Sequence, residues 1–332
     1  MSATAVLVLA AGFLIAQVNG ANDVSKGIAT LVASGVSDYR RAIRWGTLCT
    51  ALGGLAAAGL TGGLVATFGT GLLAAGTTPD LSAALATILG AAAWVLIATC
   101  TGLPVSTTHA LVGALAGVGA VAYGPHGVRW NALGAKVALP LVLSPLVSLV
   151  LARVLLRTER TLGSLERPSE SPAALDRAHW LTSGAASFAR AMNDAPKMAA
   201  LVLTGEALAG APRIGHPAVF GLITLGMVIG SVAGGRRVAQ VLAEKVTRLD
   251  HHEGFLANLV TAGLVIAGAV GGLPMSTTHV ASSAIVGAGA ERGMARLNRR
   301  TLRDLVLAWM VTVPLAAALG VLGFALLGLL RV

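Results

Sequence analysis

The chain has 332 residues, of which 55% are hydrophobic and only 11% are charged. A soluble protein of this size carries charge on about a quarter of its residues, so the composition excludes a water-soluble domain and predicts an all-α polytopic protein in the lipid bilayer. The formal net charge of +10 does not indicate a nucleic acid partner, because the basic residues lie in short segments between apolar runs, as membrane topology requires.

Apolar runs divide the first half of the chain, residues 1–156, into a series of predicted elements. They are a helix at 3–36 that polar residues 19–23 interrupt, a span at 42–68, hairpin arms at 83–100 and 109–123, and a closing span at 134–156. The interruption falls near the middle of a single crossing. We therefore expect a helix that is broken inside the membrane.

A polar linker, residues 157–177, leads into a second half with the same order of elements. Residues 178–332 contain a broken helix at 178–205, a span at 217–235, hairpin arms at 254–271 and 280–290, and a last span at 305–330. The additional segment 236–249 carries apolar residues at helical spacing opposite charged ones. This pattern predicts an amphipathic helix that lies on the membrane surface.

The number of crossings predicts two inverted-topology repeats. Each half has three crossings plus a hairpin that returns to its own side, so the total per half is odd. With the N-terminus outside, the segments that lie inside are 37–44, 153–177, 236–248 and 291–303. These hold 17 of the 24 Lys and Arg residues, which favours a cell-membrane protein with both termini external and a cytoplasmic linker. Inverted repeats with broken helices are the architecture of secondary transporters.

One motif, Gly-Leu-Pro-x-Ser-Thr-Thr-His, occurs at 102–109 and again at 272–279. Its proline ends the incoming hairpin arm, its glycine relieves the turn, and Ser or Thr caps the outgoing arm, whose free N–H groups point into the membrane centre. Hydroxyls beside such N–H groups suit a tetrahedral oxyanion, although they also serve helix packing in membranes. The predicted anion-binding residues of this motif are Ser106, Thr107, Thr108, Ser276, Thr277 and Thr278.

A second motif, Asn-Asp-x-x-Lys, occurs at 22–26 and 193–197. Charged residues inside a membrane segment usually mark the path of a substrate or ion, although each Asp and Lys could simply neutralise one another. Different roles are expected for the three residue types. Asp23 and Asp194 would serve the coupling cation or proton, Asn22 and Asn193 would ligate that cation or the anion, and Lys26 and Lys197 would offset the charge of the anion.

His109 and His279 begin the outgoing arms and either contact the substrate, carry a proton or hydrogen-bond a neighbouring carbonyl, with the structural role favoured. No Cys or Glu stands beside them, which argues against a membrane enzyme. The sequence therefore predicts no catalytic residue, no metal site and no cofactor beyond a co-transported ion. An anion channel remains an alternative, but it has less need of an aspartate in both halves.

Both motifs resemble those of the inorganic phosphate transporter (PiT) family. Residues 20–24 look like the first half of its GANDVANAFGT signature, and both motifs occur in both halves, so the resemblance covers nearly the whole chain. It implies import of inorganic phosphate by symport with Na⁺ or H⁺, through alternating access around a central site. The residues it places there are Asn22, Asp23, Asn193, Asp194 and the two Ser-Thr-Thr stretches.

The chain departs from that pattern at two places. Lys26 stands where the sodium-coupled signature has Asn, which favours proton coupling. Arg190 precedes the second motif, whereas Asn19 occupies the matching place in the first half. The family also includes sulfate permeases, so sulfate or a metal–phosphate complex remains an alternative substrate. Whether the chain forms a homodimer is left open by the sequence.

Overall fold

The computed structural model describes residues 2–74, 77, 80–163, 172–209, 215–291 and 293–329. Nearly all of these residues are helical, and their only β-pairing is an isolated bridge between Leu73 and Val128. Six helices in these ranges are long and apolar enough to cross a membrane. The predicted all-α polytopic architecture is confirmed. The middle of the predicted linker, residues 164–171, lies outside the described residues.

The first half of the chain contains eight α-helices within the described residues. They are α1 (Ala3–Asp23), α2 (Ser25–Ala33), α3 (Tyr39–Leu60), α4 (Gly62–Ala66), α5 (Leu81–Thr101), α6 (Thr107–Ala122), α7 (Trp130–Ala132) and α8 (Leu139–Gly163). The side chains of Ser2, Asp38 and Asp80 accept hydrogen bonds from N–H groups in the first turns of α1, α3 and α5. Each cap satisfies a donor that the helix itself leaves free.

The described residues of the second half contain five α-helices. They are α9 (Pro172–Leu208), α10 (His216–Gln240), α11 (His251–Val270), α12 (Thr277–Ala290) and α13 (Arg299–Leu329). We call α5 with α6 hairpin 1 and α11 with α12 hairpin 2. The incoming arms α5 and α11 have 21 and 20 residues, whereas the outgoing arms α6 and α12 have 16 and 14. The predicted hairpin arms therefore form, with a longer incoming arm in each.

The expected helix break occurs in the first half alone. α1 and α2 meet at Val24, where the regular helix is interrupted for a single residue. α9 runs from Pro172 to Leu208 without interruption and contains Pro196, so the break expected at 178–205 is wrong. A proline removes one hydrogen bond of the helix, but neighbouring helices in a membrane protein often hold such a helix together.

The span expected at 42–68 is also bent. α3 ends at Leu60, and the chain turns by 76° at this point into α4 and a π-helical turn, Thr67–Gly71. Thr61 lies at the bend, outside the helical region at φ −126° and ψ 34°. Two glycines follow it directly in the sequence, and glycine weakens a helix.

Segment 236–249 does not form a separate helix on the membrane surface, which corrects the prediction. α10 extends to Gln240, and a π-helical turn, Val241–Lys245, continues it. Leu242 and Val246 are buried in an apolar cluster with residues of α8 and α11. An apolar stripe opposite charged residues has the same pattern whether lipid or protein covers it, and here protein covers it.

The two halves exchange packing partners. α1 lies along α10 and α3 lies along α9, while α13 packs against both arms of hairpin 1 and α8 packs against hairpin 2. Glycines allow the close approach of α1 to α10, since a Cβ atom at Gly20 would lie 2.0 Å from the carbonyl O of Met227 and one at Gly230 would lie 1.8 Å from that of Gln17. Small residues at helix contacts are the usual means of tight packing in lipid. Hairpin 1 is thus supported by the closing helix of the other half.

Candidate functional site

The two hairpin tips, residues 102–106 (tip 1) and 272–276 (tip 2), have the same local structure. Gly102 and Gly272 adopt the left-handed conformation, with φ of +77° and +70°. The N–H of the following leucine donates to the carbonyl of Ala98 in hairpin 1 and of Gly268 in hairpin 2, at 2.8 Å in both. A left-handed glycine with this bond ends a helix and satisfies its last carbonyls. The repeated sequence therefore encodes a repeated turn.

A serine at each tip starts the outgoing arm. Ser106 Oγ accepts from the N–H of His109 at 3.2 Å, and Ser276 Oγ accepts from that of His279, also at 3.2 Å. Both hydroxyl groups are therefore N-caps of α6 and α12, as the motif predicts. A serine that accepts as a cap keeps its own hydrogen available to donate.

The motif asparagines hold the tip of their own half. Asn22 Oδ1 accepts from the N–H of Val105 at 3.2 Å, and its Nδ2 donates to the carbonyl O of Leu103 at 3.0 Å. Asn193 Oδ1 accepts from the N–H of Met275 at 3.1 Å, and its Nδ2 donates to the carbonyl O of the same residue at 2.9 Å. Both amides thus bind main-chain groups in tip 1 and tip 2.

Lys26 is surrounded by oxygen atoms. It forms an ion pair with Asp23, and its Nζ lies 2.8 Å from Oδ1 and 3.1 Å from the carbonyl O of Asn22. The carbonyl O of Val105, in tip 1, is 3.4 Å away. The side chain is 1% exposed, so water has almost no access to this ammonium group.

Lys197 has a related environment in the second half. Its Nζ lies 2.6 Å from Thr108 Oγ1, 3.1 Å from the carbonyl O of Met275 and 3.2 Å from Asp194 Oδ1. The carbonyl again belongs to the tip of the same half. Thr108, however, belongs to hairpin 1, so this lysine connects the two halves.

The two hairpins also bind one another directly. Thr108 Oγ1 donates to the carbonyl O of Met275 at 3.2 Å, and Thr278 Oγ1 donates to that of Val105 at 2.7 Å. The two bonds are reciprocal, because each hairpin supplies one hydroxyl and one carbonyl. Together they hold tip 1 and tip 2 against each other.

Asn19 brings the carboxylates of the two halves to a common centre. Its Nδ2 lies 3.3 Å from Asp23 Oδ2, 3.2 Å from Asp194 Oδ2 and 3.0 Å from Thr107 Oγ1. The matching Thr277 is buried as well. The centre therefore combines two carboxylates with polar side chains of the hairpins.

Arg190 lies at this centre with no carboxylate in ion-pair contact among the described residues. Its Nη1 donates to Asn19 Oδ1 at 3.0 Å and its Nη2 to Thr50 Oγ1 at 2.7 Å. Its Nε has no hydrogen-bond partner in the described part of the chain, and the side chain is 1% exposed. A buried charge of this kind is costly unless an ion of opposite charge joins it.

The histidines of the motif contact each other instead of the Asp–Lys pairs. The rings of His109 and His279 have centroids 4.4 Å apart, and His279 also lies 4.0 Å from the ring of Trp309. One ring nitrogen of each histidine has no hydrogen-bond partner within the described ranges. The structure thus places the pair beside the site, in an aromatic stack.

The sequence matches the model of the phosphate transporter family over residues 19–174 and 162–320. The chain belongs to this family. The resemblance read from its motifs is therefore confirmed.

Relatives of this phosphate transporter family member match along most of their length. A relative from Bacillus subtilis (strain 168) is named "Probable low-affinity inorganic phosphate transporter". It is 26% identical over 317 residues, which are 94% of this chain and 94% of the relative. Another of the same name, from Rhizobium meliloti (strain 1021), is 28% identical over 309 residues, 92% of this chain and 90% of the relative. A solved structure named "The sodium-dependent phosphate transporter" superposes with a TM-score of 0.86 at 26% identity, over 99% of this chain and 100% of its own.

In this family member, the predicted site residues other than the two histidines are all buried, and each is at most 3% exposed. The two histidines lie beside them. Sequence reasoning did not identify Asn19 and Thr50 as part of the centre, nor Thr99, whose Oγ1 accepts from Asn22 Nδ2 at 3.0 Å. Asn19 had a usable signal, since it is polar within an apolar run and matches Arg190. The threonines had none, because threonine is common in membrane helices.

Proposed function

We propose that this chain imports inorganic phosphate as a secondary active transporter of the cell membrane. The observation that carries the proposal is the charge of the buried centre, where Lys26, Lys197 and Arg190 accompany two carboxylates, Asp23 and Asp194. Among these five groups one positive charge lacks a counter-ion, and burial makes that costly without an anion. Membership of the phosphate transporter family supports phosphate as this anion.

The donors around the centre suit a tetrahedral oxyanion. Within the described residues Arg190 has an unpaired Nε–H, and Ser106 and Ser276 each retain a hydroxyl hydrogen. The N-termini of α6 and α12 begin at these serines, and a helix N-terminus favours negative charge. We propose that phosphate binds between the two tips, with oxygens directed to Arg190 and to both serines.

Two carboxylates beside the anion favour phosphate over sulfate. HPO₄²⁻ carries a hydroxyl that can donate a hydrogen bond to Asp23 or Asp194, whereas sulfate at neutral pH has no proton to donate. Sulfate would instead place acceptor oxygens against the carboxylate oxygens with no proton between them, which is unfavourable in a buried site. The alternative of a sulfate permease is therefore less well supported.

The reciprocal bonds between the hairpins support alternating access. Thr108 and Thr278 hold tip 1 to tip 2, and both threonines are buried. We propose that the halves are inverted repeats whose hairpins open to opposite sides, one at a time. A channel would need a path open to both sides at once, whereas these bonds hold the two tips together in this structure. In the proposed orientation, both termini are external and the linker is cytoplasmic, since 17 of the 24 basic residues then lie inside.

For the coupling ion we propose a proton. Binding of HPO₄²⁻ would change the net charge of the buried centre from +1 to −1, and one proton would restore neutrality. A Na⁺ ion could supply the same charge, but each aspartate already has a lysine in contact. The solved relative is itself named as sodium-dependent, so the two ions must be compared directly.

The experiment is uptake of radiolabelled phosphate into proteoliposomes with an imposed gradient of either H⁺ or Na⁺. We expect accumulation above the external concentration with an acidic exterior, no requirement for Na⁺, and little competition from excess sulfate. Asp194→Asn protein serves as the matched control for binding without coupling. Equilibration without accumulation would indicate a channel, and equal competition by sulfate would indicate a sulfate permease.

A further inference from the structure

We propose that the ammonium groups of Lys26 and Lys197 fill two built cation sites, so that the chain carries its own cations where Na⁺ would otherwise bind. Cage 1 denotes the four oxygens around Lys26 Nζ, and cage 2 the three oxygens around Lys197 Nζ. The inference rests on the proposed function, because both cages flank the proposed phosphate site and decide which free cation the transporter requires.

The ligands of cage 1 are those of a site for a hard cation. Asp23 supplies its Oδ1, Asn22 supplies both its side-chain Oδ1 and its carbonyl O, and Val105 supplies its carbonyl O. An ammonium group has three N–H donors, so it cannot make a linear hydrogen bond to all four oxygens at once. A spherical ion has no such restriction, and an all-oxygen set with one carboxylate suits Na⁺.

The chain makes a main-chain oxygen available at the helix break. Beside Val24, the carbonyl O of Asn22 accepts from Ser25 Oγ at 2.7 Å and from Lys26 Nζ at 3.1 Å. Carbonyls at interrupted helices are typical ligands of Na⁺ in transporters. Cage 1 is therefore formed by backbone geometry as well as by the aspartate.

Cage 2 repeats the essential parts of cage 1. Asp194 supplies the carboxylate and Met275 supplies the tip carbonyl, at the place that Val105 has in tip 1. The third oxygen, Thr108 Oγ1, comes from the opposite hairpin. A lysine that only neutralised its aspartate would not need to bind a tip carbonyl in both halves.

A tethered cation has a consequence that a free one lacks. It stays in the site throughout the cycle, and it excludes Na⁺ by occupying the same oxygens. A shorter, neutral side chain with its own oxygen should therefore convert each cage into a site for free Na⁺. Lys26→Asn and Lys197→Asn make this change, whereas Lys26→Met keeps the length of the side chain but supplies neither charge nor oxygen.

The test measures binding of radioactive Na⁺ to purified protein without phosphate, together with the unfolding temperature in NaCl and in choline chloride at equal ionic strength. We expect no bound Na⁺ in the wild type and one Na⁺ per opened cage in Lys26→Asn and Lys197→Asn, with an unfolding temperature raised by Na⁺ alone. Lys26→Met and Lys245→Asn, at an exposed position of the π-helical turn, should bind none.

Stoichiometric Na⁺ binding to the wild type would overturn the inference, and so would folded Asn variants that bind no Na⁺. If the Asn variants do not fold, the wild-type measurement still tests the inference, because binding of Na⁺ to the wild type would contradict it. Because phosphate is absent, the result does not depend on transport. A chain that fails to accumulate phosphate but gains Na⁺ sites in these variants would refute the proposed function alone.

Discussion

Arg190 Nη1 donates to Asn19 Oδ1 at 3.0 Å, and the two residues hold equivalent places, since each lies four positions before its motif aspartate. The equivalent His109 and His279 are likewise in ring contact. Positions related by the sequence repeat thus contact each other at two places, one at the centre and one beside it. The two halves are not identical at the first of these contacts, because the second half has an arginine where the first half has an asparagine.

Replacing Arg190 should weaken phosphate binding. A hydrogen bond to a charged group contributes about 1.5–3 kcal/mol, so we expect Arg190→Gln to lower the affinity at least about tenfold. Calorimetric titration of the purified protein measures this directly. Arg177→Gln, at an exposed position of the same helix, should leave the affinity unchanged. Wild-type affinity in a folded Arg190→Gln protein would show that phosphate does not contact this side chain.

Removing both tip serines should lower affinity and stability together. Ser106→Ala with Ser276→Ala deletes two proposed donors to phosphate and two N-caps, and each cap contributes about 1 kcal/mol. We expect at least about a tenfold loss of phosphate affinity, because a hydrogen bond to a charged ligand contributes about 1.5–3 kcal/mol. Ser2→Ala removes a cap of the same chemistry at the start of α1 and should not alter binding. Unchanged affinity in the double variant would remove the serines from the site.

The close approach of α1 and α10 predicts unequal effects of two glycine substitutions on one helix. A Cβ atom at Gly230 would lie 1.8 Å from the backbone O of Gln17, whereas one at Gly221 would meet no atom within 4 Å. Gly230→Ala should therefore separate the helices and lower the unfolding temperature by several degrees. Gly221→Ala should have little effect. Equal unfolding temperatures for the two variants would contradict the packing.

Cysteine labelling in intact cells tests the proposed orientation. In a chain without Cys49 and Cys100, Thr158→Cys at the exposed end of α8 should react with an impermeant maleimide only after the membrane is opened. Asn131→Cys, in the exposed α7, should react from outside. The reverse pattern would place the linker outside the cell.

The repeated motifs predicted a buried polar cluster because polar groups inside a membrane can be satisfied only within the protein. This is why Asp23, Lys197 and both tips could be assigned to this cluster from their spacing alone. Spacing gives no such information about Thr50 and Thr99. A threonine can bond to its own helix, as Thr99 Oγ1 does to the carbonyl O of Val95 at 2.7 Å, so its presence in an apolar run predicts no partner.

The sequence predicted where the membrane-spanning helices lie, but not which of them are continuous and which are broken or bent. Asn193 and Asp194 suggested a break, yet α9 continues through them. Segment 236–249 was misassigned because hydropathy does not distinguish a lipid-facing stripe from one that packs on α8 and α11. The bend at Thr61 had a local signal in the two glycines that follow it, but glycine is so common in this chain that the signal does not single out one position.

Because α13 packs on hairpin 1, this hairpin cannot reach its final packing until α13 has been synthesised. Hairpin 1 ends at Ala122, but its packing partner α13 ends at Leu329. At a typical 5–20 residues per second, roughly 10–40 s separate the two on the ribosome. Glycines of hairpin 1 that later touch α13, such as Gly113 against the carbonyl of Val313, are without that contact for the whole interval. α13 therefore completes the packing of hairpin 1 long after that hairpin has been made, so a nascent chain cut short before α13 leaves hairpin 1 without this support.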